Sequence, residues 1–185
     1  MGAESPAVSL TFEAMVFARE VHKGQVRKYT ANPYVDHLAE VAGIVATVSC
    51  ERNYDRGAGM DTMVAVSWLH DSIEDQDVKF DDLFTHFGII VATGVQMLSD
   101  TEQGNRAERK AASRARLAAA PGWVQTIKVA DLISNTSSIV KHDPNFAVQY
   151  LIEKTWMLDV LMKADKRLIN IARDQVYKAQ KELLA

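Results

Sequence analysis

The chain has 185 residues, 48% hydrophobic and 24% charged, with a net charge of −3. That balance fits a globular domain able to bury its own core and excludes a global attraction to nucleic acid or an anionic membrane. A lone cysteine, Cys50, excludes an intrachain disulfide, MGAESPAVSL has no signal-peptide pattern, and no apolar run reaches the ~20 residues that span a bilayer, so the expected location is the cytoplasm.

Apolar residues recur at three- and four-residue spacing, with almost no strict alternation, which predicts an all-α chain. A first helix is expected to start near Ser5-Pro6 and to end near His22-Lys23-Gly24. The polar stretch GQVRKYTANPY follows, and Pro33 forbids helix through it. A second helix runs from about Val35 to Ser49, and ERNYDRGAG is a loop. Asp61 or Thr62 caps a third, TMVAVSWLHDSIED. FDDLFTHF forms a short helix to Gly88, and IIVATGVQMLS continues beyond it. Residues 105–119 form a basic, alanine-rich helix with a solvated face, broken by Pro121-Gly122. WVQTIKVADLISNTSSIV is helical and Lys141-His142-Asp143-Pro144 a turn. Two amphipathic helices finish the chain, with their Trp, Met and Leu residues as core. No repeat or Gly/Ser/Pro-rich linker appears, so residues 1–185 read as one domain.

The chemistry concentrates in SWLHDSIEDQ. His70 and Asp71 are adjacent, and neighbours on a helix differ by about 100°. They converge on one ion only if it sits beside the helix. An imidazole with a carboxylate suits a divalent metal such as Mn²⁺ or Fe²⁺. Glu74 and Asp75 fall one turn further along the same face, placed to position or deprotonate water that the metal acidifies. The competing reading is a solvated acidic turn, although acidic groups at a helix C-terminus oppose its dipole. Asp131 interrupts an apolar helical run, and a buried carboxylate there needs compensation from a metal, Lys128 or a backbone donor. Asn135 follows four residues later, on the same face. His37 opens the second helix. The order His37, His70-Asp71, Asp131 is an H…HD…D pattern, with four ligands drawn from three helices. Two imidazoles and two carboxylates leave a divalent ion free to bind phosphate.

This pattern resembles the HD-domain metal phosphohydrolases. HKGQVRKYTANPYVDH, WLHDSIEDQDV, FDDLFTHFGIIVATGVQMLSD, AERKAASRARL and KVADLISN are similar, in order, to blocks of the RelA/SpoT-homologue hydrolase domain across about residues 12–160. The resemblance implies an all-helical, Mn²⁺-dependent hydrolase that removes the 3′-pyrophosphate of (p)ppGpp, giving GDP or GTP. The length leaves no room for the synthetase and regulatory parts of long family members, so a hydrolase-only protein is expected. Its partner is a small-molecule nucleotide rather than nucleic acid or membrane.

By the same resemblance, His37, His70, Asp71 and Asp131 hold the metal, and Glu74 and Asp75 are catalytic. Arg27 and Lys28 lie beside the base and phosphates, Arg106 reaches the phosphates, Asn135 lines the nucleoside pocket, and Tyr150 lies near the substrate. Arg27, Lys28 and Arg106 also read as surface charges, and Tyr150 as a helix-packing residue. His22 reads as structural. His37-Leu38 departs from the usual His-Pro, and Leu132 stands where the family has a basic residue. These departures touch substrate contacts rather than ligands. They leave (p)ppApp, the NADPH 2′-phosphate, another nucleotide substrate, or binding without turnover as alternatives.

Overall fold

The computed structural model describes residues 9–49 and 58–183, and every regular element among them is a helix. In chain order these are α1 (Leu10–Val21), α2 (Tyr34–Ser49), α3 (Met60–Leu69), the single turn α4 (Ser72–Asp75), α5 (Phe80–Leu98), α6 (Arg106–Ala119), α7 (Gly122–His142), α8 (Pro144–Val160) and α9 (Lys166–Leu183). The all-α expectation holds. Ser5, Pro6, Cys50 and residues 51–57 of the expected loop lie outside the described residues. The helical residues of α1 begin at Leu10, where the Ser9 hydroxyl accepts from the Phe12 backbone N–H at 3.2 Å.

α3 forms one axis of the core. It is apolar around most of its circumference because α1 and α2 pack on it. Met63, Ala65, Val66 and Leu69 are fully buried. Ser67 is tolerated among them because its hydroxyl donates to the Met63 carbonyl at 2.8 Å. The helix starts at Met60 after Gly59, so neither Asp61 nor Thr62 is the cap.

α7 forms the other axis and packs on α2, α8 and α9. The Gln125 side chain fixes its start, donating to the Leu117 carbonyl (2.9 Å) and accepting from the Lys163 N–H (2.8 Å). One buried amide thereby ties the α6–α7 and α8–α9 turns together. α7 continues through Lys141 and His142, where a turn was expected. The break is confined to Asp143, whose carboxylate caps α8 at the Phe146 N–H (3.2 Å), with Pro144 in the first turn.

Two glycines are required by geometry. Gly88 has φ +79° and kinks α5 where two helices were expected to meet. At Gly94 an added Cβ would stand 2.5 Å from the Trp123 ring, so the glycine admits that indole to the core.

The last helices depart from expectation on their outer face. Leu151, Met157 and Leu158 are buried, but Trp156 is 52% exposed and Met162 67% exposed. α8 packs on α6, α7 and α9. Trp156 lies on its rim toward α6, with the Arg114 guanidinium 5.3 Å from its ring centre.

Candidate metal centre and adjoining cleft

α3 does not continue through the His70-Asp71 pair as the sequence suggested. It ends at Leu69; Asp71 leaves helical geometry (φ −98°, ψ 0°), and α4 restarts at Ser72. This break resolves the difficulty of two adjacent helix positions facing one ion. The turn swings the Asp71 carboxylate to 3.0 Å from the Nε2 of His70.

His37 enters from α2 and Asp131 from α7. The His37 Nε2 lies 3.5 Å from Asp71 Oδ2 and 3.4 Å from Asp131 Oδ1, and the His70 Nε2 lies 3.9 Å from Asp131 Oδ1. One ligand atom each from His37, His70 and Asp131 falls within 4.8 Å of the others. Neighbouring ligands on a cation with ~2.1 Å bonds stand about 3 Å apart, so these spacings suit a shared ion. Both histidines are buried, and neither Nε2 has a hydrogen-bond partner. A buried, unpartnered nitrogen is unfavourable, and two of them facing two carboxylates fit a cation.

Neighbours set the imidazole tautomers. The Ser134 hydroxyl donates to Glu40 Oε2 (2.7 Å), so it accepts from the Nδ1–H of His37 (2.8 Å). The His70 Nδ1–H donates to the Ser67 carbonyl (2.7 Å). In each ring the Nε2 lone pair is left facing the carboxylates, as a metal ligand requires. Protons compete for the same nitrogens. Burial disfavours the imidazolium of His70, but the charge of Asp71 and the bond a protonated Nε2 would make to it, helped by Asp131, lift its pKa to about 9. His37 is raised too: burial opposes it, and the bonds its protonated ring would make to Asp131 and Asp71 outweigh burial.

The carboxylates are held ionised. Burial pushes Asp71 up, and the positive charge and N–H that His70 and His37 carry when protonated bring it well below the usual range. Tyr34 also donates to its Oδ2 at 2.7 Å. Burial likewise raises Asp131, and the Lys128 ammonium, 2.9 Å from its Oδ2, leads the groups that bring it down. Asn135 donates to its Oδ1 at 2.6 Å. Lys128 is thus one of the compensating groups foreseen for Asp131, and Asn135 shares the face as its spacing implied.

Glu74 and Asp75 sit on α4 beside the centre, exposed and diverging. Glu74 accepts from the Asp100 N–H at 2.8 Å, and Asp75 accepts from the Gln25 side chain at 2.8 Å. Although part of its side chain meets solvent, the protein packed around the Glu74 carboxyl desolvates it and raises it, against the pull of Lys128.

A cleft of about 170 Å³ opens against Asp131, between α6, α7 and α8. Lys110, Lys128 and Arg106 supply its positive charge; Asn135, Tyr150 and Met157 line its depth. Arg27 reaches Asn135 through its guanidinium at 2.9 Å. The Tyr150 hydroxyl is 3.3 Å from Thr136 Oγ1. Arg106 lines the cleft but makes two bonds to Glu153, at 2.8 and 2.7 Å. Lys28 is not brought to the cleft: its ammonium rests on Tyr29, 3.2 Å from the phenol oxygen. Nor is the basic helix α6 simply a solvated face. Lys110 and Arg116 both pair with Asp100, at 2.9 and 2.7 Å. That carboxylate draws both cations inward.

Tyr34, Ser134, Glu40 and Gln25 act on predicted residues and were missed. Proline-tyrosine three positions before His37, and glutamate three after it, were the available signals. Lys154 was also missed. It is 1% exposed, at the cleft floor, donating to the Leu132 carbonyl (3.2 Å), Thr136 Oγ1 (2.5 Å) and Gln175 Oε1 (3.1 Å).

The HD-domain family model matches residues 14–145. The guanosine-3′,5′-bis(diphosphate) 3′-pyrophosphohydrolase MESH1 of Xenopus tropicalis is 30% identical over 144 residues, which is 76% of this chain and 75% of the relative. The guanosine-3′,5′-bis(diphosphate) 3′-pyrophosphohydrolase of Vibrio cholerae is 34% identical over 127 residues, 67% of this chain but 16% of that longer protein. A solved structure of a metazoan SpoT orthologue that hydrolyses ppGpp covers 98% of this chain and 99% of its own at TM-score 0.81 and 24% identity, and shows the same fold. Histidines and aspartates converging from α2, α7 and the α3–α4 break, within a match of this extent, mean that the chain belongs to the HD-domain family.

Proposed function

We propose that this protein is a metal-dependent hydrolase that removes the 3′-pyrophosphate of guanosine 3′,5′-bis(diphosphate) and its 5′-triphosphate counterpart. Water adds to the 3′-linked phosphorus, the ribose O3′–P bond breaks, and GDP or GTP leaves with pyrophosphate. The observation that carries this reading is the pair of buried, unpartnered Nε2 atoms of His37 and His70 facing Asp71 and Asp131 at the edge of a cleft lined by Arg106, Lys110 and Lys128. The names of the curated relatives support the guanosine substrate.

His37, His70, Asp71 and Asp131 would hold one divalent cation. Mixed imidazole and carboxylate donors make Mn²⁺ the proposed ion. Such a cation supplies Lewis-acid charge to the phosphoryl oxygens and acidifies water. Asp75 and Glu74 orient the attacking water and take its proton. Lys128, Lys110 and Arg106 meet the phosphates, as compact ammonium charges and a planar guanidinium do. Asn135, Arg27 and Tyr150 bound the nucleoside. Residues 1–185 are taken as one hydrolase domain, acting on a small nucleotide in the cytoplasm.

The test is incubation with ppGpp and Mn²⁺, with chromatographic detection of products, alongside Asp71→Asn. The expected products are GDP and pyrophosphate in equal amounts, with turnover lost in chelator and in the variant. Release of orthophosphate alone, or turnover indifferent to chelator, overturns the proposal.

A further inference from the structure

The segment between α1 and α2 holds a second device directed at the site. Residues 22–34 fold back on themselves through the Val26–Pro33 bridge, and the Tyr34 N–H donates to the Gln25 carbonyl at 2.9 Å. That backbone bond presents two side chains toward the α3–α4 break. Tyr34 reaches Asp71 and Gln25 reaches Asp75.

The Gln25 amide has its orientation fixed from both sides. A carboxylate only accepts, so the Gln25 Nε2–H faces Asp75 Oδ2 at 2.8 Å. Its Oε1 then faces the Gln76 Nε2–H and the His22 Nδ1, each 2.6 Å away, and with the amide in this orientation the His22 proton sits on Nδ1. His22 is 2% exposed and stacks on Tyr34, with ring centres 5.4 Å apart and planes 14° from parallel. A buried, stacked imidazole therefore anchors the amide that holds an exposed carboxylate. Asp75 has no helix of length to fix it, since α4 is a single turn.

We infer that Gln25, held by His22 and Gln76, is a positioning residue: it fixes one oxygen of Asp75 and leaves the other to meet the attacking water. This rests on the reading of Asp75 as the acid/base carboxylate. Misplacement of a catalytic group by about 1 Å is enough to lower turnover ~100-fold.

The experiment is a double-mutant cycle on ppGpp hydrolysis with Mn²⁺: wild type, Gln25→Leu, Asp75→Asn and the double variant, each with a thermal melt and a pH–rate profile, plus Gln25→Glu. Gln25→Leu is expected to lower kcat about 10- to 100-fold with KM nearly unchanged. In the double variant kcat should fall no further than in Asp75→Asn, because the group that Gln25 orients is already gone. Gln25→Glu sets a second carboxylate beside Asp75 and should move the acid limb of the profile to higher pH. Multiplicative losses, or full kcat in Gln25→Leu beside an inactive Asp75→Asn, overturn the positioning role alone. Full activity in Asp75→Asn overturns the acid/base reading and this inference with it.

Discussion

The Tyr34 phenol donates to Asp71 Oδ2 at 2.7 Å, and that same oxygen lies 3.0 Å from the Nε2 of His70. Burial, then the charge and hydrogen bond of Asp71, push the phenol far above its ordinary pKa, so it remains a donor. Tyr34→Phe removes the bond and leaves the ring. Metal affinity is expected to weaken on the order of tenfold, the usual effect of losing a partner of a ligand. Mn²⁺ titration by calorimetry measures it; wild-type affinity in the variant contradicts the role.

The Arg106 guanidinium makes two hydrogen bonds to Glu153. A substrate phosphate must compete with that carboxylate for the guanidinium. The pair is partly exposed, so its net worth is about 1 kcal/mol or less. Glu153→Gln should lower KM for ppGpp a few-fold, and Arg106→Ala should raise it. Steady-state kinetics showing KM unmoved by both would remove Arg106 from substrate binding.

Lys154 gives a pH dependence of stability. Burial pushes its ammonium down to about 7, against the opposing charge of Asp131. In the unfolded chain a lysine titrates near its ordinary value, about 10.4. Between these two pH values the unfolded chain binds a proton that the folded chain does not, so this residue makes stability rise with pH across that window. Its destabilising contribution is full below about pH 7. Lys154→Met should therefore lose most of this slope from pH 7 to 10 in denaturant unfolding. Parallel curves for the two proteins contradict it.

Gly94 admits Trp123 to the core at a distance no Cβ tolerates. Gly94→Ala should destabilise the fold by about 1–3 kcal/mol, as overpacking does, while metal affinity is kept. Thermal melts and Mn²⁺ titration separate the two; an unchanged melting temperature would show that the ring moves freely.

Two of the segments that supply proposed metal ligands were legible because they sit where burial makes them conspicuous. Asp131 interrupts Val129, Ala130 and Ile133, and His70-Asp71 ends a helix that is almost entirely apolar. Their convergence was read from the H…HD…D order and the family resemblance, but the helix break at Asp71 was not legible, because no proline or glycine marks it. The supporting contacts were hidden for a different reason. Tyr34 meets Asp71 across 37 positions and Gln25 meets Asp75 across 50, and no periodicity relates residues so far apart. Helix periodicity located α8, but it did not show that Trp156 would lie on an exposed rim, since an apolar stripe wider than its partner looks the same in sequence. The family resemblance set Arg106 toward the phosphates, and only the fold revealed that Glu153 already holds it.

The most direct test of the metal centre is the stoichiometry of Mn²⁺ binding, measured by equilibrium dialysis of wild type and of Asp131→Asn with ppGpp turnover read on the same samples. One tightly bound ion per wild-type chain is expected, with binding and turnover lost together in the variant. Wild-type binding in Asp131→Asn, or turnover by chain stripped of metal, would contradict a cation held by His37, His70, Asp71 and Asp131.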